Sequence, residues 1–281
     1  MVKVSAVQMS MSEDKVANVV KAEKLVRESA KNGAQIVLLP ELFEGLYFCK
    51  DMDDKYFSWA SPRENNKLIG HFASLAKELN VVILVSYFEK SEDGYFNSLV
   101  VVNACGTIMD NYRKTHIPDG PGYEEKYYFN PGDSGFKVYK TAYGNIGVGI
   151  CWDQWFCETA RALTLMGAEI IFYPTAIGSE PEIHLDSKEH WQRVQMGHAA
   201  TNTVPVVVAN RYGEESGDSC SLNFYGSSFI TDYTGAKIAE ASRDKEEIIY
   251  ADIDLEDNAK QREYWGLIKD RRSECYSTIC S

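Results

Sequence analysis

Cys151 stands where the apolar, glycine-spaced run Asn145-Ile-Gly-Val-Gly-Ile150 stops and a helical pattern begins. A cysteine at a strand-to-helix turn carries its sulfur at the end of a sheet, near the electropositive first turn of a helix, which lowers its pKa and favours the thiolate. On position alone the commoner reading is a small buried hydrophobe, since free cysteine is among the most buried residue types. Two other ionisable residues leave apolar runs in the same way: Glu41 after Val37-Leu-Leu-Pro40, and Lys114 after Tyr112-Arg113. Each alone is an ordinary loop acid or a solvated lysine. Together they can attack an amide or urea carbon. The thiol adds, one carboxylate takes its proton and returns it to the leaving nitrogen, and a fixed ammonium with the backbone N–H of Trp152 holds the oxyanion. Water then attacks the thioester-like intermediate with the same carboxylate as base. This chemistry calls for no metal and no organic cofactor.

Such groups need a scaffold that ends several strands in one place. Val2, Val4 and Ala6 alternate as a strand, and Val16, Val19, Val20, Val26 and Ala30 follow helical spacing from Glu13 to Lys31, with Gly33 as the stop. Ile36-Val-Leu-Leu39 is a short continuous apolar run, the mark of a strand covered on both faces. This β-α-β unit delivers Glu41 to a carboxyl end, where open α/β sheets place their chemistry. A helix from about Glu64 to Leu79 and the strand Val81–Val85 follow, then a hairpin of 95–103 and 108–113 that leads into Lys114. Gly122 to Gly135 reads as a surface loop. A second hairpin, 136–139 with 146–150, leads into Cys151, and a helix then runs to about Met166.

Ile170–Tyr173 is a buried strand, and Ser187–Thr203 a strong helix with Asp186 or Ser187 as its N-cap. Strands follow at 204–209, 224–230, 237–239 and 248–253, and 271–281 is a tail without periodicity, frayed or docked on a partner. The β-α-β order thus occurs twice. Some strands alternate and others are wholly apolar, so the expected fold is α/β, a four-layer α-β-β-α sandwich forming one domain over 1–281. A three-layer dinucleotide-binding sheet would need a glycine-rich phosphate loop, which is missing.

The whole-chain totals narrow the partners. A net charge of −12 over 281 residues argues against a nucleic-acid surface and favours cationic ligands. Seven cysteines, odd in number and without a Cys-x-x-Cys pair, are neither a disulfide framework nor a zinc ribbon. The first residues read as a strand rather than a signal peptide, and no apolar run spans a membrane, so a cytoplasmic protein with reduced thiols is expected.

Leu38-Leu-Pro-Glu-Leu-Phe43, Tyr112-Arg-Lys-Thr-His116 and Gly147-Val-Gly-Ile-Cys-Trp-Asp153 resemble, in this order, the hallmark blocks of the nitrilase, or carbon-nitrogen hydrolase, superfamily. The resemblance implies the α-β-β-α sandwich and a triad of Glu41 as general base and acid, Lys114 as oxyanion stabiliser and Cys151 as nucleophile. It also implies a second active-site glutamate downstream of the lysine, which Glu125 matches better than Glu124. His116 offers a different pairing with Cys151, as in papain-like proteases, but the blocks single out the lysine.

Within the superfamily the chain is similar to the N-carbamoylputrescine amidohydrolases in His116-Ile-Pro-Asp-Gly-Pro-Gly-Tyr123, Ala176-Ile-Gly-Ser-Glu-Pro181, His190-Trp-Gln-Arg193, Gly197-His-Ala-Ala200 and Asn210-Arg211. Gln154, Phe156 and Cys157 depart from that pattern, as does Glu124 before the second glutamate; Cys157 is expected to be a buried helix residue. The implied substrate is a small cation with a ureido head, so the pocket should be an apolar or aromatic channel ending in a carboxylate. Tyr47, Tyr123 and Trp152 are candidate walls. Glu180 is the first candidate for the ammonium tail, with Glu182 and Asp119 in reserve and Asp186 read as a helix cap. An ω-amidase or β-ureidopropionase would instead need an arginine for an anionic tail, and Arg211 is the candidate. A third reading is a non-catalytic assembly module, against which all three triad residue types stand intact. The resemblance also implies a homo-oligomer, a dimer or larger.

Overall fold

The structure, a computed structural model, describes residues 1–179 and 185–279. Two six-stranded sheets make its centre. In the first, β1 (Val2–Gln8), β2 (Ile36–Leu38) and β3 (Val82–Ser91) run parallel, β4 (Gly94–Val102) and β5 (Ile108–Arg113) continue antiparallel, and the C-terminal β14 (Glu247–Ile253) closes the other edge against β1. Helices α1 (Lys15–Lys31) and α2 (Lys67–Leu79) pack on it. Asp14 and Asn66 cap them through their side chains, satisfying N–H groups that a first turn leaves open.

The second sheet repeats the plan. β7 (Gly144–Val148), β8 (Ile170–Thr175) and β9 (Val206–Asn210) are parallel, with β6 (Lys137–Thr141) antiparallel at one side and β12 (Phe229–Thr231) and β13 (Lys237–Glu240) at the other. Helices α4 (Cys157–Leu165) and α5 (Lys188–Asn202) lie on its outer face.

Strand periodicity explains the layering. Successive side chains point to opposite faces, so a strand covered on both sides must be apolar at every position. Ile36 and Leu38, Val82 and Leu84, and Ile170 and Phe172 join the core between the sheets. Their alternates Val37, Ile83 and Val85 face α1 and α2, while Ile171 and Tyr173 face α4 and α5. The α-β-β-α sandwich expected from the sequence is therefore the observed one.

Several local expectations differ. The helix after Cys151 is a 3-10 turn, Cys151–Trp155, interrupted at Phe156 before α4 begins, and this leaves Cys157 exposed rather than buried. The predicted strand 224–230 is two strands. Gly226 and Ser227 take left-handed φ of +52° and +57° and split β11 (Ser221–Tyr225) from β12; β10 (Tyr212–Ser216) pairs with β11 as a separate hairpin. The supposed surface loop holds a short helix, α3 (Glu125–Tyr128), in which Glu125 and Tyr128 are buried. A last helix, α6 (Leu255–Trp265), has no apolar stripe to announce it and buries only Asn258. Of the α5 cap candidates, Asp186 accepts the Lys188 N–H, whereas Ser187 makes no side-chain cap bond. Among the described residues no helix is long and apolar enough to cross a membrane.

Candidate active site

Glu41 emerges from β2 through Pro40 into a constrained turn. The next residue, Leu42, has a left-handed φ of +48°, its N–H donates to Ser86 Oγ (3.0 Å), and its carbonyl accepts from Arg211 Nη2 (3.2 Å). Lys114 leaves β5 with its N–H still bonded to the Asn97 carbonyl of β4 (2.8 Å). Glu125 comes from α3. The three side chains are fully buried and meet: Lys114 Nζ donates to Glu41 Oε1 at 3.0 Å and to the two Glu125 oxygens at 2.8 and 2.6 Å.

Each carboxylate has a further donor. Asn97 Nδ2 donates to Glu41 Oε1 (2.7 Å) and Tyr47 OH to Glu125 Oε1 (2.7 Å). Glu41 Oε2 has no hydrogen-bond partner among the described residues. One ammonium thus serves two carboxylates. Burial alone would push the Lys114 ammonium down, but Glu125 and then Glu41 hold it well above the ordinary lysine range. Burial likewise raises the Glu125 carboxyl, against the pull of Lys114.

Cys151 opens the 3-10 turn after β7 with φ +42°, a conformation that L side chains rarely adopt. Its Sγ lies 3.7 Å from the Ala176 carbonyl. The expected lowering of its pKa by a helix N-terminus is not what the site provides. Burial, then Glu41, push the thiol well above its usual range, with Lys114 opposing. A single 3-10 turn contributes little dipole against full desolvation, so a resting thiol needs a base to lose its proton.

The two sheets are joined beside the thiol by Asp153. One of its oxygens accepts from the His116 N–H (2.9 Å) and meets His116 Nδ1 (2.7 Å); the other accepts from Tyr112 OH (2.7 Å) and the Ile150 N–H (2.9 Å). The His116 ring also stacks on Phe156 at 3.7 Å. His116 therefore braces the strand end that bears Lys114, and its ring is turned to Asp153 instead of the papain-like pairing with Cys151.

The expected pocket walls divide. Tyr47 is buried with its hydroxyl on Glu125, and its ring lies 5.9 Å from that of Tyr123, whose hydroxyl accepts the Gly178 N–H (3.0 Å). Trp152 is 37% exposed and packs on Trp155 and Phe156. Glu180 and Glu182 lie outside the described residues. Asp119 is half exposed and 3.7 Å from Lys126. Arg211, the candidate for an anionic tail, is fully buried behind Glu41, committed to Glu215 Oε1 (2.8 Å) and to the Glu41 carbonyl (2.7 Å). Both terminal nitrogens of the guanidinium are thus committed to protein acceptors.

The sequence offers no role for Asn97 or Glu215, and it places Asp153 and Asn210 only as members of family-like segments, without the contacts they make. A signal existed for Asn97: with Ser98 it forms a polar pair between Phe96 and the apolar run Leu99–Val102. Asn210 ends the apolar strand β9, where polarity changes as it does at Glu41, whereas Glu215 lies in β10, which no apolar run marks. Asn210 clamps the peptide of Ile177, next to Ala176, accepting its N–H (3.0 Å) and donating to its carbonyl (2.9 Å). Among the described residues no group of three His, Cys, Asp or Glu could hold a metal ion.

The sequence profile of the carbon-nitrogen hydrolases matches residues 3–263. The chain belongs to that family. It is 51% identical over 279 residues to the citrullinase of Francisella tularensis, covering 99% of this chain and 98% of the relative. It is 50% identical over 281 residues to the N-carbamoylputrescine amidase of Arabidopsis thaliana, covering 98% and 94%. Its fold superposes on the crystal structure of a carbon-nitrogen hydrolase from Helicobacter pylori with a TM-score of 0.93 at 35% identity, covering 100% of this chain and 98% of that one. This protein is accordingly an enzyme of the carbon-nitrogen hydrolase type, acting on C–N bonds.

Proposed function

We propose that this carbon-nitrogen hydrolase cleaves the ureido group of N-carbamoylputrescine, with water, to putrescine, carbon dioxide and ammonia. The observation that carries the chemistry is a buried ammonium between two buried carboxylates, next to a thiol whose ionisation burial opposes. The substrate rests on near-full-length identity of about half to amidases of that name.

In this reading Glu41 Oε2 takes the Cys151 proton as the S–C bond forms. An ammonium has three N–H donors. Glu41 Oε1 takes one and the paired Glu125 oxygens can share one, which leaves one for the oxyanion beside the Trp152 N–H. The C–N bond breaks as Glu41 returns the proton to the departing nitrogen. Water, deprotonated by Glu41, then adds to the thiocarbamate, the C–S bond breaks, and the carbamic acid falls apart to amine and carbon dioxide. Glu125 and Tyr47 hold the ammonium in place throughout.

Glu180 is the proposed partner of the ammonium tail, on its sequence position alone. A citrulline-cleaving enzyme is the second reading, favoured by the citrullinase relative, and it shares the ureido head. The anionic-tail reading loses its cation, because Arg211 is spent elsewhere. We further propose a cytoplasmic homo-oligomer: every described cysteine is free, and Tyr264, Trp265 and Leu267 expose apolar surface. Ammonia release from carbamoylputrescine, citrulline, carbamoyl-β-alanine and a dicarboxylic monoamide tests the assignment. The highest kcat/KM is expected for carbamoylputrescine; a tenfold preference for any of the other three would overturn it.

A further inference from the structure

Glu41 and Tyr47 lie six residues apart on a stretch without a strand or an α-helix to hold it, yet both must stay in register with Lys114. Much of what holds the stretch comes from the second half of the chain. Arg211 follows β9, at the point where a bridge to Met9 joins the ends of β9 and β1. Its Nη2 donates to the carbonyls of Glu41 (2.7 Å) and Leu42 (3.2 Å), its Nη1 to the carbonyl of Gly45 (3.3 Å) and to Glu215 Oε1 (2.8 Å). Glu215 Oε2 in turn accepts the Tyr47 N–H (2.6 Å), and Lys50 Nζ donates to the Tyr47 carbonyl (3.0 Å). The guanidinium lies beside the rings of Tyr47 and Phe224, its carbon 5.7 and 5.3 Å from their centroids.

We propose that the buried Arg211–Glu215 pair is a positioning device for the reaction: it aims the Glu41 carboxylate and, through Tyr47, the Glu125 carboxylate at Lys114. This rests on the reading of Glu41 as the base. The left-handed Leu42 gives the device its purpose. A leucine there relaxes toward negative φ unless its flanking peptides are tied down, and the ties are Ser86 on its N–H and Arg211 on the two carbonyls. A lysine cannot replace the fork, because one ammonium cannot span the Glu41 carbonyl and Glu215 in the same plane.

The test uses the full-length enzyme with Arg211→Lys and the isosteric Glu215→Gln. Turnover is expressed per titrated Cys151, and the rate at which iodoacetamide alkylates that thiol is followed against pH. For Arg211→Lys, kcat per site should fall on the order of 100-fold, as for a displaced catalytic group, with KM nearly unchanged. The alkylation profile should move to lower pH, because the Glu41 carboxylate whose charge opposes the thiolate is then displaced. Glu215→Gln should show the same two changes at about a tenth of the size. A purely structural role would lower thermal stability or the number of titratable sites, with each remaining site working at the wild-type rate and an unmoved alkylation profile; that result overturns the proposal. If Arg211→Lys fails to fold, unchanged turnover and alkylation in Glu215→Gln overturn it equally. Alkylation needs no substrate, so a wrong substrate assignment shows itself in the ammonia assay without touching this result.

Discussion

On the side of the first sheet, Glu41, Lys114 and Glu125 are held by side chains: Asn97, Tyr47 and one another. On the side of the second, Cys151 is held by main chain, through its own positive φ, the Ala176 carbonyl and a Gly149 with no room for a Cβ. Buried charge survives only when every partner is present, because an unpaired ion in a dry interior is expensive. A backbone elbow is indifferent to which atom its side chain carries but not to how much space its neighbours take. The charged side should therefore fail by losing a partner, and the backbone side by gaining an atom.

Lys114→Met should have the largest effect, because it leaves two buried carboxylates facing each other. We expect turnover to be lost and folding stability to drop by about 3–5 kcal/mol, measured by urea unfolding. A variant as stable as the wild type would mean that the carboxylates are already neutral. Cys151→Ala should also abolish turnover, to below a few per cent of wild type, yet unfold at nearly the same urea concentration as the wild type, since no charge is stranded. Strong destabilisation there would erase the contrast between the sides.

Gly149→Ala probes the backbone side by addition. A Cβ at this position would lie 2.7 Å from the Tyr173 ring and 3.2 Å from Asp153 Cβ. Moving Asp153 moves Ile150 and His116 together, and so displaces the thiol relative to Lys114. We expect kcat to fall about 10- to 100-fold with KM little changed. Tyr47→Phe removes one of the donors on Glu125 while Lys114 keeps its hold on both oxygens, so a loss of about 1–2 kcal/mol in transition-state stabilisation is expected from kcat/KM.

The same contrast explains what could be read in advance. Apolar runs such as Ile36–Leu39 and Ile170–Tyr173 dictate strands, and the residues at their ends were visible because polarity changes abruptly there. Glu41, Lys114 and Cys151 were found in this way, and Glu125 through family resemblance alone, because its local pattern reads as a loop. Their supports were not visible. Arg211 looks in the sequence like a free cation available to a substrate, and only the fold turns it inward onto the Glu41 carbonyl. The split at Gly226–Ser227 and the helix α6 were hidden for a different reason: the first depends on two backbone angles, and the second has hardly any buried face to mark it.

The second half also has a tight charge cluster, but it lies far out, tying α5 to β13. Glu240 accepts from Lys188 (2.8 Å), Lys237 (2.6 Å) and Gln192 (3.0 Å). Burial opposes its ionisation, but these three donors bring its pKa down to about 2. An unfolded glutamate titrates near about 4.3. The folded form thus binds its proton less readily than the unfolded form, and the stabilisation is complete above about pH 5 and is lost as pH falls toward about 2. Partial exposure screens the cluster, so Glu240→Gln should cost no more than about 1 kcal/mol at pH 7. Paired urea titrations should show that deficit shrinking at pH 3, with turnover at pH 7 unchanged. A deficit that grows on acidification would reverse the sign of the linkage. A fall in turnover would mean that charge at the rim of the second sheet reaches the thiol after all.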